Sequence, residues 1–426
     1  MKWSLVQSKS LENLPARQGV RERFARQVVL TRLRALTTGT LTLVEDGEHY
    51  CFGEAHTATP LHATVTVNDA RFFSDLLFGG DVGAGESYVL GRWDCDNLTG
   101  LMQILLRNQR VLYGMNRGLS RLANPLNRLV HWLRRNTRNG SRRNIAAHYD
   151  IGNELFSLFL DETLMYSCGI FENSSTTLHE ASVAKLDRIC RKLELGPQDH
   201  VLEIGTGWGG FALHAARHYG CRVTTTTISR EQYELARRRV AEAGLGERVE
   251  VLFRDYRTLT GRYDKLVSIE MIEAIGHRYF DTYFARCSNL LKADGRMLLQ
   301  AITISDQRYL AATRAVDFIQ RYIFPGGCLP SITALSTAMG RSGDLRLLHL
   351  EDIGPHYATT LRHWRERFRA RLAEVRELGY NERFIRLWEY YLRYCEAGFL
   401  ERHIGTAQLL LAKPMFRGAN SGQVAD

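Results

Sequence analysis

Val201-Leu202-Glu203-Ile204-Gly205-Thr206-Gly207-Trp208-Gly209-Gly210 decides how this chain is read. Val201, Leu202 and Ile204 make a short apolar run of the kind found in buried parallel strands. It breaks into Gly205-x-Gly207-x-Gly209-Gly210 and resumes at Phe211 as good helical sequence. Strand, glycine turn and helix open a nucleotide-binding α/β unit, the glycines removing Cβ atoms where a ligand must approach the backbone. The spacing is not the dinucleotide G-x-G-x-x-G, and Glu203 stands two residues ahead of the cluster. An acid before G-x-G suits S-adenosylmethionine, with its sulfonium and amino group, better than a pyrophosphate. An ordinary Gly-rich turn of another α/β enzyme is the alternative.

Downstream, β-branched Arg222-Val-Thr-Thr-Thr-Thr-Ile228 reads as a second strand. Ser229 caps the next helix, with Gln232 three residues on. Val249–Phe253, Lys265–Glu270 and Arg296–Thr303 add three strands. Strands alternating with helices predict an open, mostly parallel, doubly wound sheet. Ligands sit at the carboxyl ends of such strands, which here present Glu203 to Gly207, Thr227 to Ser229, Asp255 to Arg257, Glu273 and Ile302. Upstream, helices are expected from Asn144 to Leu160 and over His179–Leu193, with the polar loop Met165–Gly169 between them.

At 426 residues two or three domains are expected. Residues 1–35 look helical and basic, and two alternating runs around Asp46-Gly47 signal a hairpin. His62–Asn68 adds a strand, Gly79–Asp81 and Gly83–Gly85 mark loops, Tyr88–Trp93 suggests a further strand, and Leu98–Arg107 a helix. Residues 1–110 thus read as a small α+β accessory domain, 111–143 as a basic amphipathic linker and 144–418 as the catalytic domain. The N-terminus lacks the apolar core of a signal peptide, and no run reaches the ~18–20 apolar residues of a membrane span. Eight cysteines without C-x-x-C spacing argue against zinc and a disulfide framework, which points to a cytoplasmic protein with no metal.

The net charge of +10 is unevenly spread: from Asn97 to Tyr149 there is no Asp or Glu, while arginines recur throughout. Such a stretch is a footprint for an anionic surface, nucleic acid or acidic phospholipid. Leu112, Tyr113, Met115, Leu119, Leu122, Leu126, Leu129, Val130, Trp132 and Leu133 recur near helical spacing, as in a basic helix lying on a membrane. Packing against a neighbouring domain carries equal weight. No RNA-recognition motif is present, and aromatic residues do not interleave the arginines as base stacking requires, so no nucleic acid is expected.

Seven blocks then agree in order: His148–Phe156, Tyr166-Ser167-Cys168, Glu203–Gly210, Thr227–Gln232, Glu270–His277, Tyr322–Ser331 and Tyr390–Cys395. Over roughly residues 140–415 the chain resembles the cyclopropane-fatty-acyl-phospholipid synthases, which include the mycolic acid cyclopropane synthases. The resemblance implies a seven-stranded, Rossmann-like methyltransferase sheet and transfer of the S-adenosylmethionine methyl to the double bond of an unsaturated phospholipid acyl chain. It implies a carbocation, then proton loss to close a cyclopropane ring, with a bicarbonate ion held by Cys168, Glu273, the Ile302 backbone and Tyr391. Tyr166 and Ser167 match cofactor-touching positions, and Glu203, Gly205, Gly207 and neighbouring Trp208 those of its methionine end. Thr227, Ile228 and Gln232 match positions near the ribose, and Asp255, Tyr256 and Arg257 those near adenine. One departure stands out: the family often has histidine where this chain has Gln300, which hydrogen-bonds but does not titrate near neutral pH. Ring closure, or a methyl or methylene branch without it, are therefore both open. Peripheral attachment to the inner membrane face and a homodimer complete the expectation.

Overall fold

The computed structural model describes residues 19–54, 60–109 and 152–418, in two compact units. The first holds the described residues of positions 1–133 together with Arg314–Pro325 and Arg369–His403. The second runs from 152 to Thr313, then Gly326–Phe368, then Ile404 onward. Two pieces of the C-terminal sequence, expected inside one continuous 144–418 domain, thus cluster with the N-terminal unit. The basic linker, His148 and Tyr149 lie outside the described residues.

The first unit carries a four-stranded sheet ordered β2-β1-β3-β4, where β1 is Gly39–Glu45, β2 Glu48–Glu54, β3 His62–Val67 and β4 Trp93–Cys95. The hairpin lies where Asp46-Gly47 promised it, both residues at positive φ (51° and 83°) between the paired Glu45 and Glu48. The glycine-rich run 79–85, by contrast, is no loop. It lies inside the Arg71–Val89 helix, kinked at Gly80, and the expected strand at Tyr88 begins only at Trp93. Close approach explains Gly83 and Gly85: a Cβ on Gly83 would stand 2.1 Å from the Asp75 carbonyl oxygen, and one on Gly85 2.3 Å from the Phe318 ring. The Glu382–Leu400 helix is bound into this unit by Arg386, which donates to the Tyr88 and Trp93 carbonyls and to Asp94.

The second unit is built on a seven-stranded sheet ordered β10-β11-β9-β8-β5-β6-β7. Here β5 is His200–Ile204, β6 Arg222–Thr227, β7 Val249–Phe253, β8 Tyr263–Ile269, β9 Leu291–Ile304, β10 Arg346–Asp352 and β11 Ile404–Ala412. The five strands β5–β9 pair in parallel, and β10 and β11 are antiparallel additions at one edge. One face packs on the Leu178–Leu193 and Gly210–His218 helices through Leu186, Ile189, Phe211 and Val201. The opposite face packs on Phe280–Leu290 and Ile332–Ser342 through Phe284, Leu335, Leu299 and Leu409. Helices on both faces make it doubly wound. Among the described residues no helix is long and apolar enough to cross a membrane.

Candidate active site

Strand order reverses between β5 and β8, and the crevice beyond their carboxyl ends is where such a sheet takes its ligand. The turn after β5 holds Gly205, Gly207 and Gly209 at φ values of +104°, +52° and +86°. A Cβ on Gly207 would meet nothing within 4 Å among the described residues, which leaves the backbone there open to a ligand. This cradle fits the cofactor that the sequence suggested.

Glu203, next to last in β5, is 2% exposed, its Oε2 accepting from Thr225 Oγ1 at 2.6 Å. Burial pushes its carboxyl up to about 8, against the Thr225 hydrogen bond and the Lys185 charge. Lys185, fully buried, donates to Ser167 Oγ at 2.7 Å. Burial pushes this ammonium down to about 8, although Glu270 and Glu203 pull the other way. Tyr166 packs edge-on against Phe156, at 5.1 Å between centroids, and Trp208 lies 4.8 Å from the same ring. Trp208 is buried and donates Nε1–H to Asn153, which makes it a wall behind the glycine turn.

At the end of β6, the Thr227 hydroxyl donates to Gln232 Oε1 at 2.8 Å and accepts from the Ser229 N–H, with Ile228 between. After β7, Asp255 caps the short Tyr256–Thr258 turn and holds Arg257 through two hydrogen bonds of 2.9 and 2.6 Å. The Arg257 guanidinium lies over Tyr256 and Tyr279. Tyr256 itself belongs to the core beneath.

The end of β8 holds what the sequence reading missed. Glu270, at φ +48°, accepts three hydrogen bonds: Cys168 N–H at 3.0 Å, Gln300 Nε2–H at 2.8 Å and Tyr357 O–H at 2.6 Å. Glu273 Oε1 accepts the Ile302 N–H at 2.5 Å, while its Oε2 is enclosed and, among the described residues, without a hydrogen-bond partner. Burial, then the like charge of Glu270, pushes the Glu273 carboxyl up to about 8. Burial raises Glu270 too, but its three donors favour the charged form. The Glu273 carbonyl accepts from Cys328 N–H at 2.8 Å, which ties the 326–331 loop to this corner.

Cys168, Gln300, Ile302 and Glu273 are thus brought to one place, with Glu270 at its centre. The Cys168 thiol faces the Gly169 and Ile353 carbonyls, and burial holds its pKa well above the usual range, so it is a poor nucleophile. Gln300 reaches Glu270 and Gln408. Tyr391 belongs to the other unit, packed against Trp388 and Phe324. A bicarbonate ion does not fit the donors present: the backbone N–H groups of Cys168 and Ile302 already donate to Glu270 and Glu273. Glu270 was visible in the sequence three residues before Glu273, but nothing local marked it as the hub. Lys185 did carry a signal, as a lysine on the apolar stripe Leu178, Ala181, Lys185, Ile189 of its helix.

A family model described as mycolic acid cyclopropane synthetase matches residues 136–409. The chain is 41% identical over 352 residues, 78% of it and 79% of the relative, to tuberculostearic acid methyltransferase UfaA1 of Mycobacterium tuberculosis. It is 36% identical over 358 residues, 84% of it and 89% of the relative, to cyclopropane-fatty-acyl-phospholipid synthase of Escherichia coli K12. Among solved structures, mycolic acid cyclopropane synthase CmaA1 complexed with SAH and CTAB superposes with a TM-score of 0.59 at 32% identity, covering 64% of this chain and 98% of the other.

Proposed function

The chain belongs to the mycolic acid cyclopropane synthetase family and is an S-adenosylmethionine-dependent methyltransferase, and from that premise we propose that it methylates the double bond of unsaturated acyl chains in membrane phospholipids. The observation that carries this reading is the enclosed carboxyl pair Glu270 and Glu273 at the strand ends. An alkene that takes a methyl group becomes a cation, and a cation needs a fixed negative charge beside it and a base for one proton. When bound, S-adenosylmethionine supplies the electrophilic methyl on a sulfonium.

Glu203, Gly205 and Gly207 hold its methionine end, beside Tyr166, Ser167 and the Trp208 wall. Thr227, Ile228 and Gln232 serve the ribose, and Asp255, Tyr256 and Arg257 the adenine. Burial and the like charge of Glu270 hold the Glu273 carboxyl up, while Glu270 is the member of the pair whose charged form three donors favour. Its charge offsets the cation, and the proton leaving the substrate ends on the pair. A bicarbonate ion has no part in this reading.

Loss of that proton from the new methyl, with the C–H electron pair closing onto the cation, gives a cyclopropane. A second fate is favoured by Glu270 taking the Cys168 N–H, and by the likeness to a tuberculostearic acid methyltransferase. If the cation persists, a 1,2-hydride shift moves it to the methyl-bearing carbon, and proton loss then leaves a methylene branch. Both fates add one CH₂. Mass spectrometry of lipids from cells expressing the chain, with labelled methyl donor, tests the proposal. A gain of about 14 mass units reports transfer and loss of one proton. Resistance of the product to mild hydrogenation means a ring, and reduction to a branched saturated chain means a methylene. No labelled acyl chain at all would overturn the proposal. Stretch 97–149 is proposed to dock on anionic lipid at the inner membrane face, an assignment that sedimentation with anionic against neutral vesicles checks.

A further inference from the structure

A polar row crosses the hydrophobic sheet where only apolar side chains are needed. Glu351 of β10 is paired in register with Gln408 of β11, and Gln408 with Gln300 of β9. Lys192, from the Leu178–Leu193 helix, reaches into this row. Its ammonium donates to Glu351 and, at 2.8 Å, to Gln408 Oε1. Gln408 Nε2 donates to Gln300 Oε1 at 3.0 Å, and Gln300 Nε2 to Glu270 Oε1 at 2.8 Å. Both glutamines are fully buried and Lys192 is 3% exposed, while Glu351 at the far end is also held by Arg188.

A carboxamide reads equally well either way round, so each glutamine has two orientations. An ammonium has no such freedom, because it only donates. With Lys192 at its end, Gln408 must offer Oε1 to it and Nε2 to Gln300. Gln300 must then turn its own NH₂ toward Glu270. We propose that Lys192 and Gln408 are positioning residues that fix which end of the Gln300 amide meets Glu270, and so hold Glu270 as a hydrogen-bond acceptor. The proposal rests on Glu270 being part of the catalytic pair. It adds that the base is oriented from β11 and the Leu178–Leu193 helix.

The other groups facing Glu270 are the Lys185 ammonium, the Glu273 carboxyl, the Tyr357 hydroxyl and the Cys168 thiol and N–H. None is altered by changes at Lys192 or Gln408. Losing a donor to the charged form raises a carboxyl pKa. Gln408→Glu, accepting from both Lys192 and Gln300, turns the Gln300 oxygen onto Glu270 and removes that donor. Lys192→Met releases both amides, whereas Lys192→Arg keeps a donor in place.

The test is a pH titration of the buried carboxyl C=O stretch by infrared difference spectroscopy on the ligand-free full chain, with Glu270→Gln identifying the Glu270 band. Gln408→Glu and Lys192→Met are expected to tighten proton binding at Glu270 about tenfold, moving its midpoint up by about one pH unit. Lys192→Arg is expected to leave it in place. An unmoved midpoint in folded Gln408→Glu and Lys192→Met overturns the proposal, and Gln408→Glu alone decides if Lys192→Met does not fold. The readout needs no substrate. Shifts seen in a chain that modifies no lipid therefore keep this proposal while overturning the lipid assignment.

Discussion

Glu270 is the residue on which the proposed chemistry turns, and its substitution by the neutral isostere is the sharpest test of the site. Glu270→Gln retains the shape but loses the charge that Cys168, Gln300 and Tyr357 stabilise. Methyl transfer measured with labelled donor is expected to fall by roughly 100-fold or more, as for loss of a general base. Cofactor affinity by calorimetry should be nearly unchanged. Glu203→Gln should show the reverse emphasis, weaker cofactor binding first. With the Glu203 carboxyl pushed up to about 8, binding of a cationic ligand should also release a proton near pH 7. Calorimetry in buffers of different ionisation heat reads that release directly, and its absence would remove Glu203 from the methionine subsite. Glu203 and the glycines were legible because strand, acid and turn sit within ten consecutive residues. Glu270 and Tyr357 were not, because their meaning lies in a contact across 87 positions of sequence.

At the scale of elements, the parallel strands were legible because each is a compact apolar or β-branched run beside a helix. The edge strands β10 and β11 were not. Leu409-Leu410-Leu411-Ala412 suits a helix by propensity, and it becomes a strand because Ile404–Ala412 pairs with β9 residue for residue. The Arg71–Val89 helix failed in the opposite sense, since its glycines were read as marking loops whereas Gly83 and Gly85 serve contact. Two of the helix's glycines should therefore respond differently to alanine. Gly85→Ala drives a Cβ into the Phe318 ring and should cost about 1–3 kcal/mol in urea unfolding. Gly79, where a Cβ would meet nothing within 4 Å among the described residues, should be neutral or gain roughly 0.5–1 kcal/mol. Equal effects at both positions would refute the packing argument.

For the whole molecule, the buried acids set the dependence of stability on pH. Glu203 and Glu273 titrate near 8 in the folded chain against an ordinary 4.5, so the folded state binds more protons between those values. Stability should then fall as pH rises through that window. Below about 6.5 the histidines held down by burial, His200 and His214 among them, act oppositely, and Lys185 acts oppositely above about 8. A falling urea midpoint between pH 6.5 and 8, flattened by Glu203→Gln, is the expected result. The division of the chain carries a different consequence. The N-terminal unit needs Arg314–Pro325 and Arg369–His403 to be complete, and the second unit needs β11 at Ile404–Ala412. Domains usually fold in the order in which the ribosome delivers them. Here neither unit is whole until nearly the entire chain has been synthesised, so premature termination anywhere before β11 leaves two unfinished cores for the chaperones and proteases of the cell.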